Sequence, residues 1–285
     1  MTRKSLFYFA LVGLLWGIPY LLMKVAVEDF PPAAVVAGRT LIGASILIPI
    51  AIYRKKFGGA VLGFKYVAFY ALMEMIGPWI LITTAEQKIN SGLAGLLVST
   101  VPIFATIITS LRGDHSVWQF KRILGIVVGF IGLILVVGIE SLSGNSDPLS
   151  IAMVIVASMG YAYAVIMVTS NLPLVDGIAI NGLAMAITTV FWAPVAIAQW
   201  PSSISMNSAL SLIALGVFST AIAFILFFKV MAEIGPARSS LVTYLNTAIA
   251  VLLGVIILRE PLTVGIIVGL PLVLVGSYLA SKKTA

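Results

Sequence analysis

From Gly177 to Phe228 the chain carries no charged side chain. An apolar run of that length cannot turn a polar face to water in any soluble fold. It is also too long for one bilayer crossing, which takes ~20 mostly apolar residues for a hydrocarbon core of ~30 Å. The segment Trp200-Pro201-Ser202-Ser203 divides it into two. The rest of the chain follows suit. Ten segments qualify as spans: Leu6 to Val27, Ala33 to Tyr53, Lys65 to Thr84, Ser91 to Leu111, Ile123 to Ile139, Leu149 to Ser170, Ile178 to Gln199, Ala209 to Phe228, Ser239 to Leu258 and Val264 to Ala280. The clearest breaks are Arg54-Lys55-Lys56, Arg112-Gly113-Asp114-His115 and Gly144-Asn145-Ser146-Asp147-Pro148.

Composition agrees with a membrane solvent. Only 9% of the 285 residues are charged and 61% are hydrophobic, against about 25% charged in soluble domains. The apolar runs lack the period-2 alternation of barrel strands, so the expected fold is all-α. The first run is too long for a signal peptide and no small-residue cleavage site closes it. The absence of cysteine removes disulfides and thiol chemistry, and the single histidine, His115, leaves no histidine set for a metal. No cofactor is expected.

The net charge of +7 reads as topology rather than as nucleic-acid binding, because the positive residues sit between the apolar runs. With the N-terminus inside, the inner segments hold Arg3, Lys4, Arg54, Lys55, Lys56, Lys65, Arg112, Lys121, Arg122, Lys229, Arg238, Lys282 and Lys283. The outer segments hold Lys24, Lys88 and Arg259. This places both termini in the cytoplasm and the chain in a cytoplasmic, or inner, membrane.

The chain repeats itself after about 145 residues. Leu111-Arg112 followed by Gly125, Gly129 and Gly132 matches Leu258-Arg259 followed by Gly265, Gly269 and Gly276. Gly17 and Tyr20 match Gly160 and Tyr163, and Glu86 matches Glu233. Residues 1–140 and 141–285 thus form two five-helix units. An odd number of helices inverts the second unit, a common plan for secondary transporters with a site near the midplane.

Leu14-Leu15-Trp16-Gly17, Lys24, Pro31-Pro32 and Arg39 resemble the opening of an EamA domain of the drug/metabolite transporter superfamily. Ala232-Glu233-Ile234-Gly235-Pro236-Ala237-Arg238 and Leu258-Arg259-Glu260-Pro261-Leu262 resemble the closing half of a second copy. The resemblance implies ten helices, cytoplasmic termini and export of metabolites or drugs. The chain is also similar to the aromatic amino-acid exporter branch, the YddG-like proteins. Two departures stand out. Gly113-Asp114-His115 replaces a glycine-glutamate turn, and Thr247 replaces a proline in the ninth span, which implies that this span bends less.

Ionisable groups at bilayer depth are costly and mark function. Glu74 lies mid-span, with Gly77 and Pro78 on its face. It binds a substrate ammonium, carries a proton, or makes a structural bond. If it carries a proton, Glu74→Gln removes pH-driven flux and leaves exchange. Trp16, Tyr20 and Lys24 share a face of the first span. The rings line a path, or form an aromatic belt with a snorkelling lysine. Arg39 is expected to pair with Glu28 or Asp29 near the outer surface. Polar stripes run through Ser99, Pro102, Thr106 and Thr109, and through Ser240, Thr243, Tyr244, Asn246 and Thr247. Tyr244 and Asn246 suit a cavity; Ser99 and Thr106 also suit helix packing. Tyr163 mirrors Tyr20. Gly13, Gly17, Gly77-Pro78, Pro102 and Gly160 are candidate bending points.

An intramembrane enzyme fits poorly, since His115 and all four aspartates (Asp29, Asp114, Asp147, Asp176) fall between spans. A channel or an assembly subunit is the third class. The expectation is a secondary transporter exporting amino acids or related metabolites, with drugs or organic cations as the alternative. One deep acid and no deep base argue against anionic solutes. Small-molecule substrate and membrane lipid are the expected partners, with a coupled proton as an option.

Overall fold

A computed structural model describes residues 3–113, 119–142, 147–234, 239 and 241–281. Asp114, His115, Gly144 to Ser146, Gly235 to Arg238, Ser240, Lys282 and Lys283 lie outside the described residues. The described residues are helical and contain no strand. Seven helices are long and apolar enough to cross a membrane: α1 (Arg3–Ala26), α2 (Pro32–Tyr53), α3 (Phe64–Ala85), α4 (Ser91–Leu111), α6 (Pro148–Asn171), α7 (Gly177–Ala198) and α8 (Met206–Ile234). Between them and after them run α5 (Phe120–Leu142), α9 (Val242–Ile256) and α10 (Val264–Ser281). A short helix, Phe57–Leu62, links α2 to α3.

The surface is apolar. Leu41, Ile52, Val190, Ile197, Ile256 and Val264 are all exposed, as suits side chains solvated by lipid. Buried hydroxyls turn back on their own helices. Thr40, Thr106, Ser158 and Thr188 each donate to the carbonyl four residues earlier. That pairs each of these four hydroxyl protons in a solvent that offers no partner.

Several of the described turns and helix ends are tied to one another at the same end of the bundle. At one end Asp29 accepts from Ser205, Glu260 accepts from Ser91, and Lys88 lies 3.9 Å from Asp147. At the other, Arg54 lies 3.5 Å from Asp176, and Ser5 donates to Glu233 over 2.6 Å. These are called the Glu86 end and the Arg54 end below.

The packing partners form a regular set. Helix α2 packs on α7, α5 on α10 and α4 on α9. The pair α1–α9 has its counterpart in α4–α6, α3–α6 in α1–α8, and α2–α8 in α3–α7. Advancing each label by five exchanges these pairs. The repeat-related glycines explain one of them. A Cβ at Gly276 would fall within the backbone of Gly129, and one at Gly132 would meet Leu272 and Val273 on α10. Small residues let two membrane helices approach closely enough for backbone-to-backbone dispersion contact.

Three of the candidate bending points are packing glycines instead. Gly13 and Gly17 admit Leu245 and Ile249 of α9, and Gly160 admits the Met73 carbonyl and Pro78 of α3. The breaks in regular helix fall elsewhere. Helix α4 is interrupted at Ser99–Thr100, just before Pro102. Helix α3 widens into a π-helical turn over Leu72–Ile76, and α8 does so over Leu215–Ile222. Helix α9 runs on through Thr247, whose hydroxyl donates to the Thr243 carbonyl.

The glycine seam makes a direct prediction. Gly276→Leu should destabilise the fold by about 1–3 kcal/mol through overpacking, read as a lower thermal midpoint in detergent. Gly58→Ala, where a Cβ meets nothing within 4 Å, should leave that midpoint unchanged.

Candidate functional site

The centre of the bundle gathers aromatic rings around one guanidinium. Arg39 is 6% exposed. Its guanidinium carbon lies 3.8 Å from the centroid of the Trp79 ring. Its Nε and Nη2 donate to the Thr220 hydroxyl at 3.3 and 3.2 Å, and Nη1 to the Met23 sulfur at 3.7 Å. Tyr20 and Tyr161 lie within electrostatic reach.

This corrects the expected pairing of Arg39 with Glu28 or Asp29. Pro31-Pro32 starts α2 at Pro32, so seven residues of helix carry Arg39 about 10 Å from that turn. Asp29 meanwhile accepts from the Ser205 backbone at 2.9 Å, at the start of α8. Hydrogen bonds from Ser205 and Ser208 hold the Asp29 carboxyl below the usual carboxylate range. Arg39 is also the deep base that the sequence reading lacked.

Glu74 sits in the π-helical turn of α3. The turn arises because Pro78 has no N–H for the Glu74 carbonyl. The chain widens instead, and the Gly77 N–H reaches back five residues to the Leu72 carbonyl. The indole N–H of Trp192 donates to the Ile76 carbonyl at 3.1 Å. Glu74 Oε2 is buried and has no hydrogen-bond partner among the described residues. Tyr70 and Tyr161 feel the Glu74 charge, and Tyr161 feels Arg39 as well. Tyr161 thus lies within electrostatic reach of both Glu74 and Arg39.

The sequence-selected residues divide into groups. Tyr20, Glu74 and Pro78 belong to this centre or adjoin it. Trp16 is half-buried and packs on Phe224 and Phe227 of α8, with ring centroids 5.5 and 4.6 Å away. Tyr163 is 37% exposed and lies edge-on to Phe69, so Tyr161, two residues earlier, takes the inward position. Tyr244 packs on Tyr278, with ring centroids 6.3 Å apart. The Asn246 backbone carbonyl abuts Gly17, and its side-chain oxygen accepts from Thr247 at 3.3 Å. Ser99 is a packing residue: its hydroxyl donates to Leu96, and its carbonyl accepts from Ser277 at 2.8 Å.

Lys24 belongs to a second cluster, at the Glu86 end. Its Nζ donates to the carbonyls of Glu86 and Ile89 at 2.6 and 2.8 Å. It thus closes the C-terminal end of α3, where carbonyls lack intrahelical donors. The Glu260 carboxylate does the reverse for α4, accepting from the Ser91 N–H and hydroxyl at 2.8 Å and from the Gly92 N–H at 3.3 Å. A side chain at Gly254 would collide with it. The left-handed backbone of Arg259, φ 56°, turns the chain back to make this contact.

A bundle of long apolar helices with a charged, ring-lined centre defines a multi-pass membrane transporter rather than a soluble binding protein. The chain belongs to the EamA-like transporter family, which it matches twice, over residues 3–138 and 148–282. It is 27% identical over 277 residues to the uncharacterized transporter YoaV of Bacillus subtilis, covering 94% of this chain and 93% of that one. It is 26% identical over 281 residues to the uncharacterized inner membrane transporter YedA of Escherichia coli K12, covering 95% and 90%. One crystal structure superposes with a TM-score of 0.67 over 98% of this chain and 97% of that one. At 15% identity it speaks for the fold alone.

The capping bonds are testable. Lys24→Met and Glu260→Ala should each cost about 1–3 kcal/mol, as expected for hydrogen bonds to charged groups, seen as lowered thermal midpoints. Lys88→Ala, whose side chain is 63% exposed in its pair with Asp147, should change the midpoint little.

Proposed function

We propose that this chain is a ten-helix secondary transporter. It exports amino acids and related small metabolites across the cytoplasmic membrane by alternating access of two inverted five-helix halves. One observation carries the substrate class. Arg39 is buried against neutral partners, Trp79, Thr220 and Met23, while Glu74 Oε2 is buried without a partner, and Tyr161 feels both charges.

A buried charge costs several kcal/mol unless a counter-charge or hydrogen bonds compensate it. A zwitterion supplies both. Its carboxylate meets the guanidinium fork, and its ammonium meets the Glu74 carboxyl. The rings of Trp79, Tyr20 and Tyr161 favour an apolar or aromatic side chain. A simple organic cation satisfies Glu74 but meets Arg39 as a like charge, which ranks that alternative second.

Orientation follows the charges. Arg3, Lys4, Arg54, Lys55, Lys56, Lys65, Arg112, Lys121, Arg122 and Lys229 fall toward the Arg54 end, whereas Lys24, Lys88 and Arg259 fall toward the Glu86 end. The Arg54 end is therefore cytoplasmic. The paired exchange of helix contacts supports two inverted halves that rock about the Arg39–Glu74 centre. The π-helical turns in α3 and α8 and the break in α4 supply points that bend.

The test is counterflow in proteoliposomes with labelled amino acids, cross-competed by other amino acids and by organic cations. Saturable, cross-competing amino-acid exchange is expected. Arg39→Gln should weaken amino-acid affinity at least about tenfold, the usual scale for a lost charge-assisted contact. Glu74→Gln should weaken it similarly, and more for zwitterions than for their deaminated acids. Competition by cations alone, with Arg39→Gln without effect, would overturn the reading.

A further inference from the structure

The Glu86 end holds a second polar site, apart from the Arg39–Glu74 centre. A cavity of about 240 Å³ opens there, lined by Lys24, Val27, Glu28, Glu86 and Gln87. Glu86 itself has no exposed surface. Neither of its carboxyl oxygens has a hydrogen-bond partner among the described residues.

The neighbouring charges make this unusual. Lys24 is close enough to bond the Glu86 backbone carbonyl, yet its ammonium is spent on that carbonyl and on Ile89. Glu260 is also near, but its carboxylate is committed to the start of α4. The titratable and charged groups that face Glu86 are Tyr20 and Lys24 from α1, Glu28 from the α1–α2 turn and Glu260 from the α9–α10 turn. Burial pushes the Glu86 carboxyl well above the ordinary carboxylate range; Lys24 opposes the shift and Glu260 adds to it.

A buried carboxylate beside a lysine would normally hold that lysine in an ion pair. Here the lysine turns to backbone carbonyls, the arrangement expected when the carboxyl is neutral.

We propose that Glu86 is the proton-binding carboxyl of this transporter, loaded and unloaded through the Lys24–Glu28–Gln87 cavity. On deprotonation the proton passes to water in the cavity. The Lys24 ammonium then leaves the carbonyls of Glu86 and Ile89 for the new carboxylate. The end of α3 loses its cap, and α3 is the helix that also carries Glu74 and Trp79. Proton release is thereby linked mechanically to the substrate centre. This inference rests on the transport reading above, and it assigns the coupling ion to a residue outside the substrate centre.

Infrared difference spectroscopy of the full chain in lipid tests it without any substrate. The wild type minus Glu86→Gln should show a protonated-carboxyl stretching band at neutral pH that titrates away as pH rises. Lys24→Gln, with Glu86 intact, should move that midpoint up, and Glu260→Gln should move it down. Glu86→Asp should retain a titrating band, which separates loss of the carboxyl from loss of the fold. In proteoliposomes, Glu86→Gln should lose the uptake component that a pH gradient stimulates. A difference spectrum showing only an ionised carboxylate at neutral pH would overturn the proposal, as would a midpoint unmoved by Lys24→Gln. A titrating Glu86 band in a protein without amino-acid exchange would support the proton site and sink the amino-acid reading alone.

Discussion

In lipid a backbone N–H or C=O finds no water, and the structure is organised around that want of partners. Inside each helix the ladder satisfies it. At the ends it does not, and side chains from other parts of the chain step in. Lys24 of α1 closes the end of α3, and Glu260 from the α9–α10 turn opens α4. Asp29, after α1, meets the start of α8. Asp147 and Asp176 cap their own helices, α6 and α7. Four acidic groups, Asp29, Asp147, Asp176 and Glu260, therefore serve helix N-termini, where the end of the helix dipole also favours negative charge. The bundle is held together by these caps at its ends and by close glycine contacts in its middle.

Against that background the unspent polar groups stand out. Arg39 is buried, Glu74 keeps one carboxyl oxygen buried, Glu86 is buried too, and none of the three caps a helix with its side chain. The first two each lie within electrostatic reach of Tyr161. The third lies beneath a cavity at the Glu86 end. A chain with 9% charged residues keeps these three where charge is most costly. The functional reading follows from that placement and from the family to which the chain belongs.

Much of the architecture was legible in the sequence because apolar length alone separates lipid-spanning segments from turns. The glycines at Gly125, Gly129, Gly132, Gly269 and Gly276 signalled a repeat, and α5 and α10 meet along them. The site was less legible. Arg39 was assigned to sequence neighbours because pairing arguments count residues, whereas helix rise carried it inward. Tyr161 and Tyr163 are separated by one residue, and an all-apolar helix has no polar face to tell which ring points inward. Glu86 looked like a turn residue, since its burial depends on Lys24 and Glu260, which are distant in sequence. The Pro78 signal was sound, but its effect is a widened turn rather than a simple bend.

That widened turn behaves as a one-residue insertion spliced into a regular helix. Replacing Pro78 would restore the N–H that the Glu74 carbonyl lacks and let the i→i+4 ladder close with every residue kept. Everything beyond it would then rotate by about 100° relative to what precedes it. Tyr70 would keep its place while Trp79 swung off the Arg39 guanidinium. The phase of α3 thus sets which residues share the centre, so a single substitution at Pro78 would rewire the site while leaving the hydrophobic length of the span untouched.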